Sequence, residues 1–145
     1  MLLPLASCQQ LNDPYAYKGY YGIRMNINGD KYVLRDSFSA RYTVYDSAYH
    51  LIVNGNFAGI INDIFETYNL SFNLSTPSQL HAGEEYVLDA SSAQLKYNAD
   101  DSDPVPLSGW IRIITLDFDA GRLEAQFELS SAQYTVKHGF LRMHL

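Results

Sequence analysis

The stretch from residue 109 to 130, GWIRIITLDFDAGRLEAQFELS, decides the fold. Its first ten residues are apolar almost throughout, which predicts a central strand. Asp119-Ala120-Gly121 then supplies a turn. After the turn, polar and apolar residues alternate with the two-residue period of a strand that buries one face, the apolar ones being Leu123, Ala125, Phe127 and Leu129. The stretch therefore predicts a β-hairpin, with Trp110, Leu123 and Phe127 in the hydrophobic core.

Two further hairpins are predicted toward the N-terminus. Apolar residues alternate with polar ones from Ile23 to Ile27, and the strand pattern resumes at Lys31. Asn28-Gly29 between them readily adopts positive φ, which makes this dipeptide the strongest hairpin signal in the chain. Residues 41–45 and 49–54 form the second predicted pair, turning at Asp46-Ser47-Ala48.

Two segments have a less definite period. Ile60, Ile61 and Ile64 have helical spacing, whereas residues 68–74 alternate as a strand. This pattern predicts a bend or short helical turn at about 59–64, followed by a strand to Leu74. Further along, residues 86–88 and 95–97 are predicted to be two short strands across a Ser-rich turn.

Short strands at regular spacing, with turns between them, indicate an all-β chain. We predict a single-domain antiparallel β-sandwich of about 8–10 short strands, with a small lipocalin-like barrel as the alternative. The 145 residues fit one domain. Within it, residues 1–8 are interpreted as a signal remnant with a lipobox, 9–21 as a tether and 22–145 as the β-domain.

The charge balance argues against one class of partner. The formal net charge is −6, from ten Lys and Arg against sixteen Asp and Glu. A protein that binds nucleic acid needs a basic face, and the ten basic residues are scattered along this chain. The sequence therefore predicts no nucleic-acid partner. The twelve tyrosines suit half-buried strand positions and adhesive surfaces equally well.

The N-terminal MLLPLASCQQ contains the chain's single cysteine. Its Leu5-Ala6-Ser7-Cys8 resembles a bacterial lipobox, in which signal peptidase cuts before a cysteine that receives lipid. The resemblance implies a lipid anchor on Cys8 that attaches the protein to a membrane. A full signal peptide has a basic region and a longer apolar core than precede Cys8 here. We therefore expect residues 1–7 to be removed, or the chain start to be misassigned.

A second resemblance covers roughly the last third of the chain. SGWIRIITLDFDAGRLEAQFEL followed by YTVKHGFLRMHL is similar to the C-terminal pattern of small Bacteroidota cell-envelope lipoproteins of unknown function. In that pattern a strand ending in Leu-Asp turns into an alternating strand, and a closing strand with a glycine follows. The resemblance implies an all-β fold and a location in the cell envelope, at the outer membrane, on either its periplasmic or its surface side. It implies no catalytic residues.

The sequence contains no recognisable catalytic motif. Gly-x-Ser-x-Gly, His-Glu-x-x-His and phosphate-cradling glycine loops are all absent. His138 and His144 are six residues apart on one predicted strand, about 20 Å, which is too far for one metal ion. The acidic run at Asp100, Asp101 and Asp103 is interpreted as a solvated loop and not as a calcium site. We therefore predict no catalytic residues, no metal and no cofactor.

The remaining signals favour recognition over catalysis. Four tyrosines of the tether are candidates for stacking against a ligand, namely Tyr15, Tyr17, Tyr20 and Tyr21. Asp46-Ser47-Ala48 resembles the short O-glycosylation signal of Bacteroidota, which makes Ser47 a candidate glycosylation site. The leading hypothesis is a non-catalytic binding module for glycan or protein. A structural or assembly component of the envelope is the alternative, and a hydrolase built from distant carboxylates ranks third.

Overall fold

The structure, a computed structural model, describes residues 21–35, 38–61, 64–97 and 103–145. These residues form strands connected by turns, which in chain order are β1 (Gly22–Ile27), β2 (Asp30–Arg35), β3 (Phe38–Tyr45), β4 (Ala48–Ile61), β5 (Ile64–Thr76), β6 (Glu85–Tyr97), β7 (Val105–Asp117), β8 (Arg122–Ser130) and β9 (Thr135–His144). Within the described ranges, no helix has the length and apolar character that crossing a bilayer requires.

The nine strands formed by the described residues belong to one antiparallel sheet with the order β2-β1-β9-β8-β7-β6-β5-β4-β3. From β3 to β9 each strand pairs with the next in the chain, and the β1–β2 hairpin adds to the free side of β9. The sheet curls into a half-barrel, so the prediction of an all-β antiparallel fold is confirmed. One continuous curled sheet is compatible with both the sandwich and the barrel description.

The hydrophobic core fills the inside of the curl. Tyr32 of β2 meets Tyr68 of β5 edge-on, with ring centroids 5.5 Å apart, although five strands lie between β2 and β5 in the sheet order. Phe72 of β5 and Phe127 of β8 are similarly close, at 5.7 Å. Contacts between such distant strands show that the two halves of the sheet face each other across the core. The outer face of the sheet is the opposite one, and it presents the alternating polar residues.

The two hairpin turns predicted toward the N-terminus are confirmed. Asn28 and Gly29 have φ values of 50° and 90°, and they join β1 to β2 as a two-residue turn. Asp46 and Ser47, at 51° and 61°, join β3 to β4 in the same way. Positive φ at both central residues gives a turn whose twist matches that of the flanking strands.

The helical turn predicted at about 59–64 is wrong for the described residues there. β4 continues to Ile61 and β5 begins at Ile64, with Ile60 paired to Phe65 and Ile61 to Ile64. Residues 62 and 63 lie outside the described residues. Ile60, Ile61 and Ile64 have helical spacing, but they belong to two antiparallel strands, and strand pairing satisfies their backbone groups.

The two short strands predicted around residues 86–88 and 95–97 are one strand, β6, with a bulge. Both of its ends pair with β7, and the register shifts between Leu88 and Ala93. Asp89 stabilises the irregular segment, because its Oδ1 accepts hydrogen bonds from the Ser91 hydroxyl at 2.6 Å, the Ser91 amide at 3.0 Å and the Ser92 hydroxyl at 3.1 Å. These hydrogen bonds, those of Ser91 first, lower the pKa of the Asp89 carboxyl. Serines therefore mark a bulge here and not a chain reversal.

The prediction that Leu123 and Phe127 are core residues is confirmed, since both are fully buried. The same prediction for Trp110 is wrong. The inward positions of β7 are odd-numbered, with Leu107, Ile111 and Ile113 fully buried, so Trp110 lies half-buried on the outer face. A strand that is apolar almost throughout does not reveal which of its two faces is inward.

Candidate ligand-binding groove

Two adjoining depressions lie on the outer face of the sheet. The larger has a volume of approximately 470 Å³ and the smaller approximately 180 Å³. Trp110 and Glu128 line both, so the two depressions form one continuous feature, which we call the outer groove. The outer-face side chains that line it include Arg24, Asn26, Lys31, Ser108, Trp110, Gln126, Glu128, Lys137, His138 and Phe140.

Strand register builds the groove as two parallel rows of side chains. In the first row, Trp110 pairs with Glu128, and Asn26 pairs with both Lys137 and Lys31. This row therefore runs through β7, β8, β9, β1 and β2. Four interstrand spacings of about 4.8 Å make it roughly 19 Å long.

The second row runs beside the first, through the next outward-facing position of β7, β8, β9 and β1. Gln126 pairs with Arg112 on one side and with Phe140 on the other, and Phe140 pairs with Arg24. Since alternate residues of a strand share a face, both rows stand on the outer side of the sheet. Apart from Asn26 and Lys31, which share the β1–β2 hairpin, the row neighbours are distant in sequence, and the pairing of the strands assembles them.

A bulge in β9 shapes the middle of the groove. Phe127 pairs with Gly139 and Leu129 with Val136, which leaves Lys137 and His138 opposite Glu128 alone. His138 has a φ of 55° at this point. A bulge of this kind re-aims side chains and bends the strand locally. It brings two nitrogen-bearing side chains to the outer face beside one carboxylate.

Arg112 braces the indole ring of Trp110. The guanidinium carbon of Arg112 lies 5.7 Å from the ring centroid, and its Nη2 donates a hydrogen bond to Glu85 Oε1 at 3.0 Å. A cation above an aromatic face is attracted by the ring quadrupole. The Glu85–Arg112 pair therefore orients the indole from one side, while the rest of the ring faces the two depressions.

A second cation and aromatic ring stand at the other end of the groove. The guanidinium carbon of Arg24 lies 5.2 Å from the ring centroid of Phe140, which is itself buried. The next basic residue along β9, Arg142, does not line the groove, because its Nε donates to Glu124 Oε2 at 2.7 Å in a buried ion pair. The groove thus has its own cations, separate from that structural pair.

The side chains of the groove can contact a ligand in three ways. The indole of Trp110 offers a flat apolar surface. The amides Asn26 and Gln126 can donate and accept hydrogen bonds at once, and Glu128 can accept them. Arg24, Lys31 and Lys137 supply positive charge. Among the described residues, no three His, Cys, Asp or Glu side chains are grouped closely enough to hold a metal ion.

A Ser–His contact on β4 and β5 is the nearest approach to a catalytic arrangement that the described residues show. Ser75 Oγ lies 2.8 Å from His50 Nδ1, and Asn73 Oδ1 lies 3.4 Å from the same nitrogen. The Tyr45 ring covers the imidazole, with centroids 3.7 Å apart. His50 Nε2 is buried and has no hydrogen-bond partner among the described residues. A triad would need an orienting group at that nitrogen, so this cluster is explained by packing.

The predicted site residues lie elsewhere. Tyr21 stacks on the imidazole of His144 with ring centroids 3.6 Å apart, and it does not line the outer groove. Ser47 is exposed at the tip of the β3–β4 hairpin, where glycosylation stays a prediction. The remaining predicted residues lie outside the described part of the chain: Cys8, predicted to carry lipid, the other tether tyrosines (Tyr15, Tyr17 and Tyr20) and the acidic pair Asp100 and Asp101.

Sequence reasoning placed Trp110 in the core and missed its position in the outer groove, although one signal was present. Ser108 and Arg112 flank it at two-residue spacing, and both are polar. Because alternate residues of a strand share a face, those neighbours favour the outer face for Trp110, although the apolar run as a whole does not decide between the two faces.

Comparison of the chain with protein-family models, with curated proteins and with solved structures finds no match.

Proposed function

We propose that this chain is a non-catalytic binding module that recognises a glycan in the outer groove. One observation supports the proposal above the others: a half-buried tryptophan lines both depressions, and amide and carboxylate side chains stand beside it in the same two rows. Sugars combine an apolar C–H face with a dense ring of hydroxyls. An aromatic surface next to groups that donate and accept hydrogen bonds matches both features.

The position of the groove favours a glycan over an extended peptide. Peptides that bind sheets commonly add as a strand to an exposed edge, where the backbone N–H and C=O groups are unpaired. The strands under the groove's centre, β7, β8, β9 and β1, are each paired on both sides. Their backbone is thus already satisfied, and a ligand on this face must be recognised through side chains.

The chain has one tryptophan, so its fluorescence reports directly on the groove. We expect a bound oligosaccharide to change the intensity or emission maximum of Trp110. We also expect Trp110→Ala to weaken binding measured by calorimetry by about 2 kcal/mol, roughly 30-fold in Kd, since buried aromatic anchors dominate binding energy. Trp110→Phe should restore part of the affinity.

The matched control is Phe118→Ala, which removes an exposed aromatic ring from the turn after β7, away from the groove. Its glycan affinity should equal that of the wild type. Binding that survives Trp110→Ala, or that is lost equally in both variants, would count against a glycan site in the groove.

We further propose that the module is held at the cell envelope by lipid on Cys8. The support is the lipobox-like Leu5-Ala6-Ser7-Cys8 around the chain's single cysteine. Expressed with its upstream region in a lipoprotein-competent host, the wild type should incorporate radiolabelled fatty acid and Cys8→Ala should not. Equal labelling of the two proteins would refute the anchor.

A further inference from the structure

The outer groove has the opposite charge balance to the protein as a whole. The chain has sixteen acidic residues and ten basic ones, for a net charge of −6. The described residues lining the groove include three basic side chains, Arg24, Lys31 and Lys137, against one carboxylate, Glu128. An excess of one sign of charge in a depression attracts ligands of the other sign. The local field here favours a negatively charged ligand.

The three basic side chains that line the depressions all stand on one side of Trp110, whereas Arg112, beside Trp110, is paired with Glu85. Trp110 stands on β7, whereas Lys137, Arg24 and Lys31 stand on β9, β1 and β2. The interstrand spacing of about 4.8 Å places these cations roughly 10, 14 and 19 Å from Trp110 along the sheet. An aromatic surface at one end and positive charge at the other would orient an elongated ligand.

Resting on the proposed function, we propose that the glycan is acidic: an oligosaccharide with one sugar against Trp110 and carboxylate or sulfate groups over Lys137 and Lys31. Asn26 stands between Lys137 and Lys31 in the first row, with hydrogen-bond capacity for the hydroxyls of the intervening sugars. Glu128 lies beside Trp110, opposite Lys137 and His138, where it accepts hydrogen bonds from sugar hydroxyls.

Trp110 fluorescence and calorimetry test the proposal with four probes: oligogalacturonate, a sulfated dextran oligosaccharide, a neutral dextran oligosaccharide and poly-glutamate. We expect at least one acidic oligosaccharide to bind more tightly than the neutral one. Its affinity should fall as NaCl rises from about 50 to about 500 mM, because salt screens exposed charges. Comparison of the first two probes distinguishes recognition of carboxylate from recognition of sulfate.

The variant Lys31→Gln/Lys137→Gln should weaken binding of the acidic oligosaccharide by about tenfold, the expected effect of two exposed ion pairs. Arg41→Gln/Lys96→Gln changes the net charge equally on β3 and β6, away from the groove, and should leave affinity unchanged. Trp110→Ala should weaken binding of acidic and neutral oligosaccharides alike.

Each other outcome overturns a distinct claim. If neutral and acidic oligosaccharides bind equally, without salt dependence but dependent on Trp110, the charge assignment is wrong and the glycan site stands. If poly-glutamate alone binds, the ligand is an acidic protein segment, and both claims fail. If no oligosaccharide binds, the proposed function fails and the acidic glycan with it.

Discussion

Gly109→Ala is expected to destabilise the protein by about 3–5 kcal/mol, an exceptional loss for the addition of one methyl group. A Cβ at this position would lie 1.9 Å from the carbonyl oxygen of Glu128 and 2.9 Å from the Cα of Leu129. Both atoms belong to the backbone of β8, which pairs with β7 at this point. No rotamer change can relieve the clash, so the two strands would have to separate.

Urea denaturation followed by far-ultraviolet circular dichroism measures the effect. Ser108→Ala is the matched control, because Ser108 is exposed on the outer face of the same strand and its truncation should change stability by less than about 0.5 kcal/mol. Equal denaturation midpoints for the two variants would show that β7 and β8 do not approach each other this closely. The close approach matters for the groove, since it sets Trp110 beside Glu128.

Phe127→Ala is expected to cost about 3–5 kcal/mol, the range for deleting a fully buried aromatic side chain. The ring packs against Phe72 and lies over Gly139, where a Cβ would be 2.5 Å from two ring carbons. Residue 139 therefore has no side chain that could move into the cavity left by the ring. Since the cost rises with the cavity that remains, we expect a value toward the upper end of the range.

The control for this variant is Gln126→Ala, one residue earlier on the exposed face of β8. The denaturation midpoint should fall sharply for Phe127→Ala and stay near the wild-type value for Gln126→Ala. A midpoint unchanged by Phe127→Ala would reverse the assignment of inner and outer faces on β8. The outer groove depends on the same assignment, because Gln126 and Glu128 line it.

Strands and turns were predictable wherever a local cause determines them. Asn28-Gly29 tolerates positive φ, and the alternation after Gly121 matches a sheet with one buried face. The helical turn at about 59–64 and the division of β6 were predicted wrongly, because spacing alone does not distinguish a hairpin from a helix or a bulge from a turn. The hairpin and the bulge are each determined by which backbone groups pair across the strands.

The sequence by itself determined the all-β class, the two-residue turns and the inward face of β8, since each follows from the φ preference of a few residues or from a period of two. Only the tertiary structure decided that Trp110 faces outward and that it shares a groove with Asn26 and Lys31. Trp110 is more than 75 positions along the chain from both Asn26 and Lys31. They share the groove because β1 pairs with β9, a long-range pairing that no local pattern encodes. The physical reason is that packing of the inner face sets the register of the strands. That register then determines which side chains stand next to each other on the outer face.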